Sequence, residues 1–358
     1  MRRERITNNN TIINKNETDN RRDNNKKRKK KKSNLKTFFK FIAYELVFGM
    51  ITGPAILLYG PFNNAKSIFV GTAMNSMHYN WLATTFLSDE KINDILGKST
   101  QEESSTTEVD ENLIKVSKNY NSNIKYQILD GNDNFVGHVL TVASPSRIHI
   151  GYTSKLNDEN KVGETTSQIA INNDAVAAVN GGAFKDEANS EQWTANGGTP
   201  SGVIISNGEV LYDDLKGRAV GMIGITKGGI LIVGQYTLNQ LVQKKVTEAV
   251  SFDTTLLVSG GKMTPMKGDG GGGSSPRTLI GQKADGSIIL VVLDARVDGS
   301  RVAATLKEAQ EVMYKLDCVT AGTLDGGKSA TMYYDDDVVN NPSYAYGERS
   351  IPTAIIVK

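Results

Sequence analysis

Four short segments of this 358-residue chain carry side chains that bind anions or transfer protons; two of them contain a glycine pair, and a third closely follows the run Gly270–Gly273. Each lies at one end of a stretch predicted to be a β-strand. Glycine lets the backbone turn tightly or approach a ligand, so these positions could line a binding site. The segments are Asn180-Gly181-Gly182-Ala183-Phe184, Ser275-Pro276-Arg277-Thr278, Asp294-Ala295-Arg296 and Leu324-Asp325-Gly326-Gly327-Lys328-Ser329.

Taken singly, each segment has an ordinary structural explanation as a turn or a solvated ion pair. Together they offer carboxylates, two arginines, an amide and backbone N–H groups, a set suited to an anionic, oxygen-rich substrate such as a sugar phosphate. The run Gly270–Gly273 lacks the lysine that a phosphate loop places after its last glycine. We therefore expect this run to be a flexible loop that could act as a lid.

The histidines and the cysteine argue against several kinds of chemistry. His78, His138 and His149 lie far apart in the sequence and match no metal-binding helix spacing. Cys318 is the single cysteine, so neither an internal disulfide nor a cysteine-rich zinc cluster can form. The triplet 335–337 is acidic but lacks the spacing of a calcium loop. We expect no metal and no cofactor.

Charge is divided unevenly along the chain. Residues 1–36 carry 14 Lys and Arg against 4 Asp and Glu, whereas the remainder carries 27 against 35. The first segment is Asn-rich and nearly free of large apolar residues, so we expect a disordered basic tail. The acidic remainder argues against a nucleic-acid-binding body, which needs basic residues on the folded domain.

Residues 37–62 form an apolar stretch close to the roughly 20 residues that span a bilayer. Lys40, Glu45 and Pro54 interrupt it, but the two charged residues lie near its beginning. Positive charge before a span keeps that side in the cytoplasm, so we expect the carboxyl-terminal domain outside the cell membrane. No small-residue cleavage motif follows, which favours a retained single-pass signal anchor over a removed signal peptide.

Residues 63–118 are expected to form a juxtamembrane helix and an acidic linker. The stretch Ile68–Leu87 is too polar for a convincing second span, so we interpret it as an interfacial helix. A two-span hairpin is the alternative, and it would return the carboxyl-terminal domain to the cytoplasm. The side chains expected to face lipid or another subunit are those of Met74, Met77, Trp81 and Phe86.

Residues 119–358 have the pattern of one globular domain. A Thr305/Glu308 capping box precedes a helix with one apolar face, and 164–172 could be a second, short helix. Many hairpins with few helices predict an α+β fold around a mixed, largely antiparallel sheet, preceded by an N-terminal transmembrane helix. The predicted strands include Ile124–Leu129, Phe135–Val142, Arg147–Tyr152, Ala175–Val179, Gly202–Ile205, Glu209–Tyr212, Met222–Thr226, Ile230–Gln235, Thr278–Gln282 and Ile288–Leu293.

The order of these motifs resembles the phosphodiester glycosidase family over about 119–358. The resemblance implies hydrolysis of a sugar-1-phosphodiester at the anomeric carbon, as in members that act on N-acetylglucosamine phosphodiesters or are linked to bacterial envelope exopolysaccharide. The chain departs from the family pattern at Ala295, Thr323, Lys328 and Ala330. The motifs that carry the resemblance are the Asn180 segment, Pro276-Arg277-Thr278 with Ile280-Gly281, Asp294–Arg296, Leu324–Gly327 through Thr331-Met332, and Asn341-Pro342-Ser343 with Glu348-Arg349.

The resemblance also suggests roles for individual residues. Asp325 would be the nucleophile or electrostatic partner, with Asp294 or Glu348 as the second carboxylate. Arg277 and Arg296 would hold the phosphate, and Asn180 would hydrogen-bond a sugar hydroxyl or amide. The remaining candidate binding residues are Gly181, Gly182, Gly326, Gly327, Lys328, Ser329 and Arg349.

Two other functions remain open at this point. The domain could be a non-catalytic module that binds phosphorylated envelope glycans with the same pocket. Less favoured is a membrane-tethered structural protein whose basic tail recruits anionic lipid or ribosomal RNA.

Overall fold

The computed structural model describes residues 36–74, 80–96, 111–117, 119–156, 162–185, 197–296, 302–343 and 346–358. By its internal contacts the chain divides into two units, Met1–Phe62 and Asn63–Lys358. The predicted basic tail lies outside the described residues except for Lys36.

The first unit contains helix α1, Lys36–Tyr59. By length and composition this helix could cross a membrane, a property that it shares with signal sequences. Most of its large apolar side chains are exposed, for example Phe39 by 61% and Leu46 by 65%. It begins one residue before the predicted span and ends three residues earlier. Among the described residues no other helix is long and apolar enough to cross a membrane.

The second unit begins with three short helices. They are α2, Asn63–Met74, α3, Trp81–Thr84, and α4, Asp89–Leu96. Of the side chains expected to face lipid or another subunit, Trp81 and Phe86 are exposed and Met74 is half-buried, while Met77 lies outside the described residues.

Three further helices and the strands make up the rest of this unit. The helices are α5, Thr166–Asn172, α6, Leu238–Gln243, and α7, Leu306–Lys315. The strands are β1 Ile124–Asp130, β2 Phe135–Val142, β3 Ile148–Tyr152, β4 Ala177–Asn180, β5 Phe184–Lys185, β6 Thr199–Pro200, β7 Val203–Ser206, β8 Glu209–Asp213, β9 Val220–Thr226, β10 Leu231–Tyr236, β11 Val246–Ser251, β12 Leu256–Ser259, β13 Lys262–Met263, β14 Arg277–Lys283, β15 Ile288–Ala295, β16 Cys318–Thr323, β17 Met332–Tyr334, β18 Asp337–Val338 and β19 Thr353–Val357.

Three sheets surround one central core. Their strand orders are β1-β2-β15-β14-β16-β12-β13, β10-β9-β11-β7-β8 and β18-β17-β4-β19-β3, and β5 pairs separately with β6. The central core takes side chains from all three sheets, for example Leu290, Ile223 and Val179. A second apolar layer lies on the outer face of each sheet, where α7, α6 and α5 respectively cover it. All pairings between the described strands are antiparallel, and the predicted α+β fold is confirmed.

Local sequence explains the clearest elements. The Thr305/Glu308 capping box is present at the start of α7, with the Thr305 hydroxyl accepting from the Glu308 N–H. Strand β2 has the predicted bounds. Asn207 and Gly208 both have positive φ angles, 51° and 80°, as the tight turn between β7 and β8 requires.

Candidate active site

Three of the four segments singled out from the sequence meet at one end of the seven-stranded sheet. Strand β14 runs antiparallel to both β15 and β16, so its first residues lie beside the last residues of those strands. Arg277 pairs with Leu293, one residue before Asp294, and Leu279 pairs with Thr323, two residues before Asp325. The register therefore brings the Pro276, Asp294 and Asp325 segments together.

Asn180, at the end of β4, joins the fourth segment to this cluster. Its Nδ2 donates to the Asp325 carbonyl at 2.6 Å. Its Oδ1 accepts from the Thr278 hydroxyl at 2.6 Å and from the Thr331 N–H at 3.2 Å. The side chain is fully buried. Asn180 was expected to contact a sugar, but in this structure its amide connects three protein segments.

Gly181 and Gly182 pack where no side chain fits. A Cβ on Gly181 would lie 2.5 Å from the Thr353 hydroxyl, and one on Gly182 would lie 2.5 Å from the Ser251 carbonyl oxygen. Their N–H groups donate to the Thr353 carbonyl and to the Thr353 hydroxyl respectively. These glycines thus bring β4 close to β19 and β11.

The segment after β16 forms a tight turn that presents Asp325. The Asp325 N–H donates to the Gly181 carbonyl at 3.3 Å, so its backbone is held from both sides. Gly327 has a φ of 61°, and its N–H donates to the Pro276 carbonyl at 2.8 Å. Asp325 is half-buried and Lys328 is exposed, whereas Ser329 is buried.

Asp294 is a buried carboxylate at the same end of the sheet, with only 1% of its surface exposed. Its Oδ2 accepts from the Asn341 N–H and, at 3.3 Å, from Nδ2 of Asn340. Asn340 also donates to the Ala330 carbonyl at 3.2 Å, which ties Asp294 to the chain just beyond the Asp325 turn. Asn340 was not among the predicted site residues.

Arg277 lies on the opposite face of the sheet from Asp294. Neighbours of Asp294 on its own face, such as Val292, point into the central core, whereas Leu279, two residues from Arg277, packs in the α7 layer. The guanidinium donates to three carbonyls: Nε to Ala304 at 3.1 Å, and Nη2 to Gly272 at 2.8 Å and Gly273 at 2.6 Å. Burial lowers the pKa of Arg277 to about 10, and the nearby Asp269 charge opposes this shift. Two of the hydrogen bonds that the Arg277 side chain donates therefore fix the glycine run.

This arrangement corrects the expectation that Gly270–Gly273 forms a flexible lid. All four glycines are buried. Two of their carbonyls bind Arg277, and the Gly271 N–H donates to the Asp269 carboxylate at 3.0 Å. The run is a packed structural element.

Arg296, Glu348 and Arg349 make other contacts. Arg296 is exposed; it pairs with Asp130 and donates to the Asn132 carbonyl at 2.8 Å, in the β1–β2 hairpin. Both carboxylate oxygens of Glu348 accept from Ser167, one from its N–H at 2.9 Å and the other from its hydroxyl, in the first turn of α5. The Arg349 guanidinium lies 4.8 Å from the centre of the Phe184 ring.

The structure therefore places the candidates in different surroundings. One cluster contains Asn180, Asp294 and the Asp325 turn, together with Thr278, Thr331 and Asn340. The Arg277, Arg296 and Glu348 side chains make their described contacts outside this cluster. Within the part of the chain that the structure describes, no three His, Cys, Asp or Glu side chains are grouped to hold a metal ion.

A cavity of about 410 Å³ lies on the α7 side of the domain. Its lining includes none of the residues of the carboxylate cluster. The carboxylates that could act on a substrate lie outside this cavity, so the candidate site is at Asp294 and Asp325. The cavity is lined by Ile68, Gly268, Asp269, Thr305, Lys307, Glu308 and Glu311.

Comparison with known proteins adds independent information. A sequence model of the phosphodiester glycosidase family matches residues 173–358. The solved catalytic domain of zebrafish N-acetylglucosamine-1-phosphodiester alpha-N-acetylglucosaminidase, auto-inhibited by its pro-peptide, is similar in fold: identity is 20%, coverage is 68% of this chain and 86% of that chain, and the TM-score is 0.53. A hypothetical protein from Synechocystis is 15% identical over 66% of this chain and 62% of its own, with a TM-score of 0.48. None of the curated proteins compared with this chain matches it.

Proposed function

Because this chain belongs to the phosphodiester glycosidase family, whose sequence model matches residues 173–358, we propose that it hydrolyses a glycan phosphodiester at the sugar C1–O bond. The family match confirms the resemblance inferred from the sequence. The observation that best supports catalysis is the location of a buried carboxylate, Asp294, and a half-buried one, Asp325, at the same end of the seven-stranded sheet. The name of the zebrafish relative makes an N-acetylglucosamine-1-phosphodiester the first substrate to test.

In the proposed reaction the C1–O bond breaks and the phosphomonoester leaves with the bonding electrons. A phosphomonoester is already a weak base, so protonation of the leaving group matters less than in an ordinary glycoside. Most of the catalytic effect must then come from stabilising positive charge at C1 in the transition state. Asp325 fits this role because its backbone is fixed by Asn180 and Gly181 while its side chain is only half-buried.

We assign the second carboxylate to Asp294 in preference to Glu348. Both carboxylates accept hydrogen bonds from the protein, but those of Glu348 come from Ser167 at the start of α5, where a negative charge also interacts favourably with the helix dipole. Asp294 instead lies beside the chain that follows the Asp325 turn. A water molecule near it would add to C1, and Asp294 would receive the proton of that water.

For the phosphate we propose Lys328 and Arg349 as the first contacts. Lys328 is exposed in the turn that also carries Asp325. Arg349 stacks on Phe184, which follows the Asn180-Gly181-Gly182 segment. Arg277 and Arg296, the arginines first expected at the phosphate, donate to protein carbonyls, and we propose that they position the chain around the site.

We further propose that α1 anchors the protein in the cell membrane with its basic tail in the cytoplasm and its carboxyl-terminal domain outside. Support comes from the length and apolar composition of α1 and from the cationic run before it. The substrate would then be a phosphorylated glycan of the cell envelope, such as an exopolysaccharide. To test the orientation, a cysteine is introduced on the surface of the carboxyl-terminal domain and intact cells are treated with a membrane-impermeant thiol reagent. The reagent should label this cysteine if the domain lies outside the cell.

The test of catalysis uses the full chain in detergent with the methyl phosphodiester of N-acetylglucosamine-1-phosphate. Wild-type protein should release free N-acetylglucosamine. Asp325→Asn and Asp294→Asn should each lower kcat by roughly 10²- to 10⁴-fold while the protein stays folded. Glu348→Gln, the matched change at the rejected carboxylate, should keep kcat within about two-fold.

Full activity of a folded Asp325→Asn protein would contradict the role of that residue. Loss of activity in Glu348→Gln but not in Asp294→Asn would reverse the assignment of the second carboxylate. If wild-type protein binds the diester tightly but releases no sugar, the domain is instead a non-catalytic module that binds phosphorylated glycans.

A further inference from the structure

Helices α2 and α4 pack directly against the glycine run that holds Arg277. A Cβ on Gly71, in α2, would lie 2.7 Å from the Gly271 carbonyl oxygen and 2.8 Å from the Gly273 nitrogen. A Cβ on Gly273 would lie 2.6 Å from the Thr72 hydroxyl, and one on Gly271 would collide with the carbonyl of Leu96, the last residue of α4. At Gly71 and Gly271 the neighbouring atoms belong to the backbone, so no side chain can rotate there to relieve an added atom.

The two helices form a joined unit at this contact. The Ser67 hydroxyl of α2 donates to the Ile95 carbonyl of α4 at 3.0 Å. Val70 and Ala73 of α2 and Ile92 and Leu96 of α4 are all buried. A segment expected from the sequence to be a juxtamembrane helix and linker therefore has four apolar side chains packed in the same unit as the carboxyl-terminal domain.

From the glycine run a short series of contacts leads to the Asp325 turn. The carbonyls of Gly272 and Gly273 accept from the Arg277 guanidinium. The residue before Arg277, Pro276, accepts through its carbonyl from the Gly327 N–H at 2.8 Å. A Cβ on Gly326 would lie 2.7 Å from that same carbonyl oxygen, so the turn packs tightly on Pro276.

We propose that Gly71 is a positioning residue for the candidate site, acting with α2 and α4 to fix the glycine run and, through Arg277 and Pro276, the turn that carries Asp325. The catalytic half of this inference rests on the proposed function. A displacement of about 1 Å in a catalytic group can cost roughly 10²-fold in rate, so a small shift of this contact has a measurable effect.

The test adds a single methyl group at the contact. Gly71→Ala is made in the full chain and compared with Gly49→Ala, a glycine of α1 whose added Cβ has nothing within 4 Å. Both changes place alanine in a helix, so the two variants gain the same intrinsic helix propensity. Gly71→Ala should lower kcat by roughly ten-fold with little change in KM, and Gly49→Ala should leave both constants unchanged.

A second measurement does not depend on activity. Amide hydrogen exchange in residues 268–277 and 325–328 should be faster in Gly71→Ala than in wild type and unchanged in Gly49→Ala. Ser67→Ala removes the hydrogen bond from the Ser67 hydroxyl to the Ile95 carbonyl and should produce a smaller change in the same direction. It serves in place of Gly71→Ala if that variant does not fold.

Unchanged exchange and unchanged kcat in both contact variants would overturn the inference. A rise in kcat would also overturn it, because α2 would then obstruct the site instead of positioning it. If wild-type protein hydrolyses no diester, the proposed function fails, and the exchange experiment still decides whether α2 fixes the Arg277 and Asp325 segments.

Discussion

Replacing Asn180 by alanine tests how the candidate site is held together. The change removes three hydrogen bonds at once, from the Thr278 hydroxyl, from the Thr331 N–H and to the Asp325 carbonyl. The position is fully buried, so water cannot readily replace the amide. An unsatisfied buried group costs at least about 1 kcal/mol, and three of them predict a loss of about 3 kcal/mol in the free energy of unfolding.

For a domain of this size such a loss corresponds to a decrease in Tm of roughly 6–12 °C, measured by differential scanning calorimetry. Thr278→Val is the matched control because it keeps the shape of the side chain and removes one of the three bonds. It should cost about 1 kcal/mol. The double variant Asn180→Ala/Thr278→Val should lose less free energy of unfolding than the two single variants lose together, because the hydrogen bond between Asn180 and Thr278 can be lost only once.

The kinetic result separates two roles for Asn180. If the amide positions Asp325, the alanine variant should show a lower Tm together with a lower kcat. If it contacts the sugar, as the sequence suggested, KM should rise while Tm stays near the wild-type value. A fall in Tm of less than about 2 °C with normal kcat would refute the positioning argument.

Three further predictions concern groups outside the carboxylate cluster. Glu348→Gln should lower the free energy of unfolding by about 1 kcal/mol because the α5 N-terminus loses a charged acceptor for Ser167, and an unchanged Tm would contradict this. Burial lowers the pKa of His138, so the unfolded chain binds a proton more readily than the folded chain, and the free energy of unfolding should fall as the pH drops below about 6.5. In urea titrations at several pH values, His138→Gln should reduce this dependence of the free energy of unfolding on pH. An equal dependence in the variant would show that another group is responsible. Burial raises the pKa of Cys318 to about 12, so iodoacetamide at pH 8 should label it only after unfolding, and rapid labelling of the folded protein would count against its burial.

Local sequence patterns predicted the helices and strands whose bounds are set by neighbouring residues in the chain. The alternation in Phe135–Val142 predicted β2 with its bounds, and the Thr305/Glu308 pair predicted the start of α7. Helix α6 was missed although Thr237 and Gln240 form the same capping box, because the helix has only 6 residues and a weak apolar face.

The arrangement of the site depended on information that local patterns do not carry. Asn340 contacts Asp294 across 46 positions of the chain, and no spacing rule connects two such residues. The separation of Arg277 from Asp294 follows from the alternation of side chains across a sheet, but only once the pairing of β14 with β15 is known. The glycine run was expected to be flexible from its composition, whereas α2 and α4 occupy the space above it.

The most direct test of the central claim is to follow which bond of the diester breaks. Full-length protein is incubated with the methyl phosphodiester of N-acetylglucosamine-1-phosphate in heavy-oxygen water, and both products are analysed by mass spectrometry. Cleavage at C1 predicts that the released N-acetylglucosamine carries the heavy oxygen and that methyl phosphate does not. Heavy oxygen in the phosphate product would show attack at phosphorus and would contradict the assignment of this protein as a glycosidase.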